Sequence, residues 1–146
     1  MAALRRFALI YGIVFLAVGI AGFIPGLTAE HTHPDVRVES GLGLLFGLFP
    51  VNVLHNIAHI LFGLWGLAAA KSAPAARAYG KGTFIAYALL TVMGLVPAAN
   101  LHTTFGLVPL YGNDIWLHAL LAAVAGYFGF VHKYEDETAR RPATAR

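Results

Sequence analysis

Apolar residues in this chain come in long blocks separated by short polar ones. Phe7–Ile24 runs for 18 residues without a charge. At about 1.5 Å rise per helical residue, that run crosses a hydrocarbon core of roughly 30 Å. Val51–Ala70 is a second block, interrupted only by Asn52, His55, Asn56 and His59. Thr83–Val96, extended back to Ala78 and Tyr79, is a third, and Ile115–Val131 a fourth. The pattern predicts an all-α fold, a four-helix integral membrane bundle forming one transmembrane domain over residues 1–146, with spans at about 5–25, 51–70, 78–97 and 114–132.

The connections are read from what lies between the blocks. In the first outer loop, residues 26–50, T-A-E-H-T-H-P-D-V-R-V-E is polar and predicted irregular. G-L-G-L-L-F-G-L-F-P is apolar but too short to span, so an interfacial or slightly re-entrant segment is expected, and no strand. The tail, residues 133–146, reads as solvated. Arg5 and Arg6 resemble the basic start of a signal peptide, but the apolar run is long and no A-x-A site follows, so a retained span is expected.

Composition agrees with the pattern. Hydrophobic residues make up 58% of the 146 and charged ones 12%, about half the charged share of a soluble domain. Of the ten basic residues only Arg37 falls in an outer loop; the rest flank the other ends of the spans. The positive-inside rule then puts both termini in the cytoplasm of a bacterial inner (cytoplasmic) membrane. Cysteine is absent, which removes disulfides, thiolate metal sites and cysteine nucleophiles. The basic residues form a collar suited to anionic lipid headgroups, and no nucleic-acid face is predicted.

The blocks repeat. Aligning Leu54-His55 with Leu117-His118 brings Gly63 onto Gly126 and Gly66 onto Gly129, while G-F-I-P (Gly22–Pro25) and G-L-V-P (Gly94–Pro97) close the odd-numbered spans. Two tandem helical hairpins related by a pseudo-twofold along the membrane normal are expected.

Candidate chemistry lies on the even-numbered spans. At about 100° per residue, Asn52, His55, Asn56 and His59 share one face, continued by Gly63 and Gly66. Asp114, His118, Ala125 and Gly129 line a face of span four, and Thr83, Tyr87, Thr91 and Gly94 one of span three, where Tyr87 and Thr91 are placed to donate inward. Polar side chains in a bilayer turn toward the bundle interior. Asn52, Asn56, Asn113 and His102 would complete a structural polar cluster at the outer end. His55 and His59 at i,i+4, with His118 and Asp114, form a candidate ligand set for a transition metal. Alternatively His55, His59 and His118 would ligate a tetrapyrrole, haem or chlorophyll. The sequence requires none of these cofactors. A structural role, in which imidazoles and amides only lock the hairpins in register, is the first expectation, and a proton path the least supported. His31 and His33 read as a solvated pair with some capacity to chelate. With no G-x-S-x-G and no H-E-x-x-H, an enzyme is not expected.

The stretch Gly47–Leu67, G-L-F-P-V-N-V-L-H-N-I-A-H-I-L-F-G-L-W-G-L, resembles the core motif of a bacterial membrane family, domain of unknown function 4383. G-L-V-P-L-Y-G-N-D-I-W-L-H-A-L-L-A is similar to its second signature, and Y-G-I-V-F-L-A-V-G-I-A-G-F-I-P-G-L-T to its first span. The resemblance implies a four-helix membrane topology, no agreed activity, and interest in Asn52, His55, His59, Asn113, Asp114 and His118. The functional expectation is a small scaffold or accessory subunit, bound by lipid and by a larger membrane complex or a second copy; the rival is a metal- or tetrapyrrole-binding protein.

Overall fold

The computed structural model describes residues 2–133 and is mostly helical. Helix α1 spans Ala2–Ala21, α2 Val53–Ala69, α3 Ala73–Gly94 and α4 Asn113–Gly126. A π-helical segment, Tyr127–Val131, prolongs α4. Residues 134–146, which hold nearly all of the expected tail, lie outside the described residues.

Local signals set the helix ends. The Ser72 hydroxyl caps α3 by accepting from the Ala75 amide, and Pro74 fills the first turn, where its missing N–H costs nothing. The third helix therefore begins several residues before the expected start at 78. Asn52 caps α2 through its side-chain oxygen, which accepts from the His55 amide at 3.0 Å.

Glycines set where the helices meet. Gly12 of α1 lies against Gly63, Gly66 and Leu67 of α2, and Gly19 against Asn56 and Ile60, so the pair runs antiparallel. Gly80 of α3 faces Ala125 and Gly129 near the end of the fourth helix, and Gly94 faces Leu110 and Ile115, again antiparallel. A Cβ on Gly129 would stand 2.7 Å from the Lys81 backbone nitrogen, so both seams need the missing side chain. Aromatic rings fill the centre: Phe7 meets Tyr79 at 6.0 Å between ring centres, Phe15 meets Tyr87 at 5.3 Å, and Phe7 stacks on Phe128 at 4.6 Å. The Tyr11 hydroxyl donates to the Leu121 carbonyl and joins α1 to α4. Facing outward, every long helix is apolar: Ile10 and Ile13, Leu61, Ile85 and Val92, and Trp116 and Leu120 are all exposed.

The first loop departs from the expectation of no strand. Strands β1 (Thr28–Glu30), β2 (Gly43–Leu45) and β3 (Phe49–Val51) form an antiparallel sheet in that order, with Thr28 opposite Leu45 and Gly43 opposite Val51. Three-residue strands are too short to write a period-two pattern into the sequence, which is why none was expected. Between β2 and β3 the chain reverses through Phe46 (φ 54°) and Gly47 (φ 70°), leaving Phe46 and Leu48 exposed. The apolar segment expected to be interfacial or re-entrant is thus a hairpin with an apolar tip.

One side chain stitches the loops to the bundle. Asn52 is fully buried, and its amide nitrogen donates to the Val38 carbonyl (3.0 Å) and to the Leu107 carbonyl (2.8 Å). Asn52→Ala removes a helix cap and strands two carbonyls, with an expected loss of about 2–4 kcal/mol. Asn52→Asp keeps the cap but turns a carboxylate on two carbonyls, so chemical denaturation in detergent should find it no more stable than the alanine form.

Candidate metal centre

Helix α2 turns His55, Asn56 and His59 inward, above Gly63 and Gly66. One turn apart, His55 and His59 hold their rings perpendicular with centres 4.7 Å apart. Helix α4 brings Asp114 and His118 to the same place: His118 Nε2 lies 3.3 Å from Asp114 Oδ2, and His55 Nε2 lies 3.9 Å from that oxygen. The His55 and His118 rings are 5.9 Å apart. None of the four residues is more than 4% exposed. One ring nitrogen from each of His55, His59 and His118 lies within 4.8 Å of the other two. The four residues expected as metal ligands are therefore together, contributed by two helices more than forty residues apart in sequence.

Hydrogen bonding shows which atoms are free to ligate. His55 Nδ1 lies 3.1 Å from the Pro50 carbonyl, which can only accept, so Nδ1 carries the proton and Nε2 presents a bare lone pair. This is the outer-shell arrangement that orients a metal-ligating histidine. Among the described residues, Nε2 of His59 and Nδ1 of His118 have no hydrogen-bond partner, and Nε2 of His55 and of His118 meet only Asp114 Oδ2, without hydrogen-bond geometry. Each such buried group costs on the order of 1–3 kcal/mol while unsatisfied. Ligand distances of about 2.0–2.1 Å in a tetrahedral site put donors roughly 3.4 Å apart, so the three nitrogens need only modest side-chain rotation to close on one ion.

Phe15 presents to His59 at 5.5 Å and Tyr87 to His118 at 4.8 Å, both edge-on, which leaves the cluster in an apolar shell. A cavity of about 60 Å³ reaches His55, His59 and Asp114 from the β2–β3 side, and one of about 110 Å³ lies beside His59, Tyr87 and His118 beneath Thr104 and Val108. Sites for drug-sized ligands run to about 300–1,000 Å³. Both cavities are smaller than a haem or chlorophyll macrocycle, and the His55 ring meets those of His59 and His118 edge-to-face.

Other expected members of the polar cluster lie elsewhere. Asn56 packs under Gly22, where a Cβ would stand 2.0 Å from its side-chain oxygen. Asn113 is exposed, its amide 3.4 Å from the Leu48 carbonyl. Thr91 donates to the Tyr87 carbonyl of its own helix, the usual fate of a mid-helix threonine, and does not bond inward. His102 pairs with Asp35, Nε2 to Oδ2 at 3.4 Å, and joins a separate group. In that group His33 stacks on Tyr111 at 4.3 Å between ring centres, and His31 is hydrogen-bonded to the Tyr111 hydroxyl at 2.9 Å. The H-T-H pair is thus half-buried and engaged, not freely solvated. Burial pushes the Tyr111 phenol up to about 12 and holds His33 below the ordinary imidazole value, against the opposite pull of Asp35. Sequence reasoning missed Tyr111 and the part taken by Asp35; H-T-H-P-D held the only hint, a carboxylate two residues past the histidines.

The family model for domain of unknown function 4383 matches residues 5–131. The chain belongs to that family. The match runs through α1–α4 and takes in both histidine groups, so this member of domain of unknown function 4383 carries them within the matched region. No curated protein and no solved structure matches. Among the described residues, two helical segments, Ala2–Ala21 and Asn113–Val131, are long and apolar enough to cross a membrane, with mean hydropathy 1.8 and 1.5.

Proposed function

We propose that this protein is a multi-pass membrane protein whose bundle core holds one divalent transition-metal ion on His55, His59, His118 and Asp114. The observation that carries the reading is the convergence of buried donors: ring nitrogens of three histidines within 4.8 Å of one another, with a carboxylate oxygen 3.3 Å from the third. Nitrogen and oxygen donors without sulfur suit zinc, nickel, copper(II) or iron. Four protein ligands fill a tetrahedral shell and leave no open position, which favours a structural or storage role over catalysis. Elemental analysis of the purified chain, beside its His59→Gln form, tests the reading.

The membrane placement rests on the outward faces. Exposed isoleucine, leucine, valine and tryptophan on all four long helices would be a severe liability in water and are ordinary against acyl chains. The four helices are then four spans of a bacterial cytoplasmic membrane, with the histidine centre toward the outer side and both termini inside, the orientation that the positive-inside rule supports. Duplication is supported by who touches whom. When G-F-I-P and G-L-V-P are aligned, Phe7 corresponds to Tyr79 and Phe15 to Tyr87, and each pair is in contact; His55 and His118, matched in the other alignment, also face each other. Equivalent residues meet at a twofold axis, so a pseudo-twofold through this core accounts for all three contacts. The chain's lack of cysteine makes the topology cheap to test. Thr32→Cys should react with a membrane-impermeant maleimide on spheroplasts, and Lys71→Cys only after lysis; the reverse pattern would overturn the orientation.

A scaffold or accessory role is the second reading. Trp116, 67% exposed, and its apolar neighbours can receive a partner helix as readily as lipid. Stoichiometric copurification with a larger membrane assembly, from protein free of metal, would favour it.

A further inference from the structure

A second histidine group sits in the loops, apart from the buried centre. His33 and Asp35 belong to the first loop and His102 to the segment Ala98–Thr103 between α3 and α4. One ligating atom from each lies within 4.8 Å of the other two. His102 Nε2 already stands 3.4 Å from Asp35 Oδ2, and the His33 and His102 rings meet edge-on at 5.5 Å. All three are partly buried, and the Asp35 side chain is 42% exposed, so an ion arriving from solvent reaches the carboxylate first. An open cavity of about 490 Å³ lined by His31, His33 and Glu39 adjoins the group.

The surroundings hold these donors in place. The His33 ring is stacked on Tyr111. The first loop is tied to the second through the Arg37 amide, which donates to the Gly106 carbonyl at 2.8 Å, and through Asn52. His102 lies in a backbone of unusual conformation: Ala99, Asn100, Thr104 and Phe105 all have φ between 50° and 61°. Left-handed residues without a glycine excuse persist only where surrounding contacts enforce them, and they concentrate at functional sites. The loop charge is favourable too, with Glu30, Asp35 and Glu39 against Arg37 alone.

We propose that His33, Asp35 and His102 form a second divalent-cation site, exchangeable with solvent, which clamps the first loop to the loop between α3 and α4. Two imidazoles and one carboxylate make a three-donor set with room for water in the remaining positions, the pattern of an open site. Such a site binds more weakly than a closed four-ligand centre and releases its ion to a chelator more readily. The ion would join segments 67 residues apart and fix the Thr104–Leu110 stretch, part of which roofs the buried histidines. The proposal stands on its own donors and holds whether or not the buried centre is loaded.

The test is zinc titration of the full chain in lipid nanodiscs, with a competing indicator and with limited proteolysis of the loops as a second readout. The expected result is a weak class of one zinc per chain that slows loop cleavage. Asp35→Asn, a conservative change at a half-exposed position, should weaken that class at least tenfold, and His33→Ala with His102→Ala should abolish it. His59→Gln should leave it intact, which separates failure of this site from failure of the buried one. Zinc stoichiometry and loop cleavage unchanged by Asp35→Asn and by the double histidine substitution would overturn the proposal. So would loop protection that needs Asp35 and His102 but no zinc, because the group would then be an ion pair only.

Discussion

Purified without chelators, the wild-type chain is expected to carry about one transition-metal ion per molecule through desalting, and its His59→Gln and His118→Gln forms to carry almost none. Both substitutions keep much of the side-chain volume and polarity, so loss of metal is not a trivial consequence of a hole. Losing even an outer-shell partner of a metal site commonly costs 10–100-fold in affinity, so removing a ligand should cost at least about 100-fold. The ion's release should also be felt as instability. A ligand present at a thousand times its dissociation constant contributes about 4 kcal/mol to the folded state. Chelation should therefore lower the wild-type melting temperature and leave the His59→Gln form unmoved. If the purified wild type is metal-free, takes up no added zinc, nickel or copper, and melts identically with and without chelator, the metal reading is wrong. Histidine substitutions that lower stability in metal-free protein would then show the cluster to be glue between hairpins.

Much of this was legible in the sequence, for a physical reason. Helical periodicity is a local property, so the inward stripe His55–His59–Gly63–Gly66 and the stripe Asp114–His118–Ala125–Gly129 follow from residue spacing alone and are the faces observed buried. The repeat aligned His55 with His118, and the two rings meet. What spacing cannot report is the path of irregular backbone. Asn113 adjoins Asp114 in sequence, yet the helix turns one side chain out and the other in. His102 was expected with the buried histidines because both were assigned to the same end of the bundle. Its loop, bent through four left-handed non-glycine residues, points it at Asp35 instead. Asn56 shares the histidine face, but the end of α1 claims it through Gly22. The Pro50 carbonyl that fixes the His55 tautomer is a backbone atom and leaves no mark in a residue pattern. The three strands are equally silent, being too short for periodicity to emerge.

Gly66→Ala is expected to destabilise the protein by about 1–2 kcal/mol, and Gly66→Leu to prevent the folded bundle from forming. A Cβ at Gly66 would lie 2.8 Å from Gly12 Cα and 2.9 Å from Gly12 N, backbone against backbone, so relief requires moving a whole helix. Overpacking a well-fitted interior costs about 1–3 kcal/mol, and the contact here has no flexible side chain to yield. Alanine's better helix propensity returns up to about 1 kcal/mol and does not change the sign. The control is Gly82→Ala on α3. There the added Cβ meets only the far end of the Trp65 ring, at 2.4 Å, and that indole is 43% exposed, so a side chain and not a backbone has to yield. The propensity gain should dominate, leaving Gly82→Ala neutral or up to about 1 kcal/mol more stable. Helix propensity alone predicts a gain at both glycines, whereas the close crossing of α1 on α2 predicts opposite signs. The seam also positions the metal ligands, because α1 packs along the face of α2 that carries His55 and His59. Gly66→Ala should therefore weaken metal retention as well as stability, although it lies two turns from the nearest ligand, and Gly82→Ala should weaken neither. Equal unfolding midpoints in denaturant for the two alanine forms would mean that α1 and α2 do not cross at Gly12 and Gly66, and the arrangement that brings the histidines together would lose its main support.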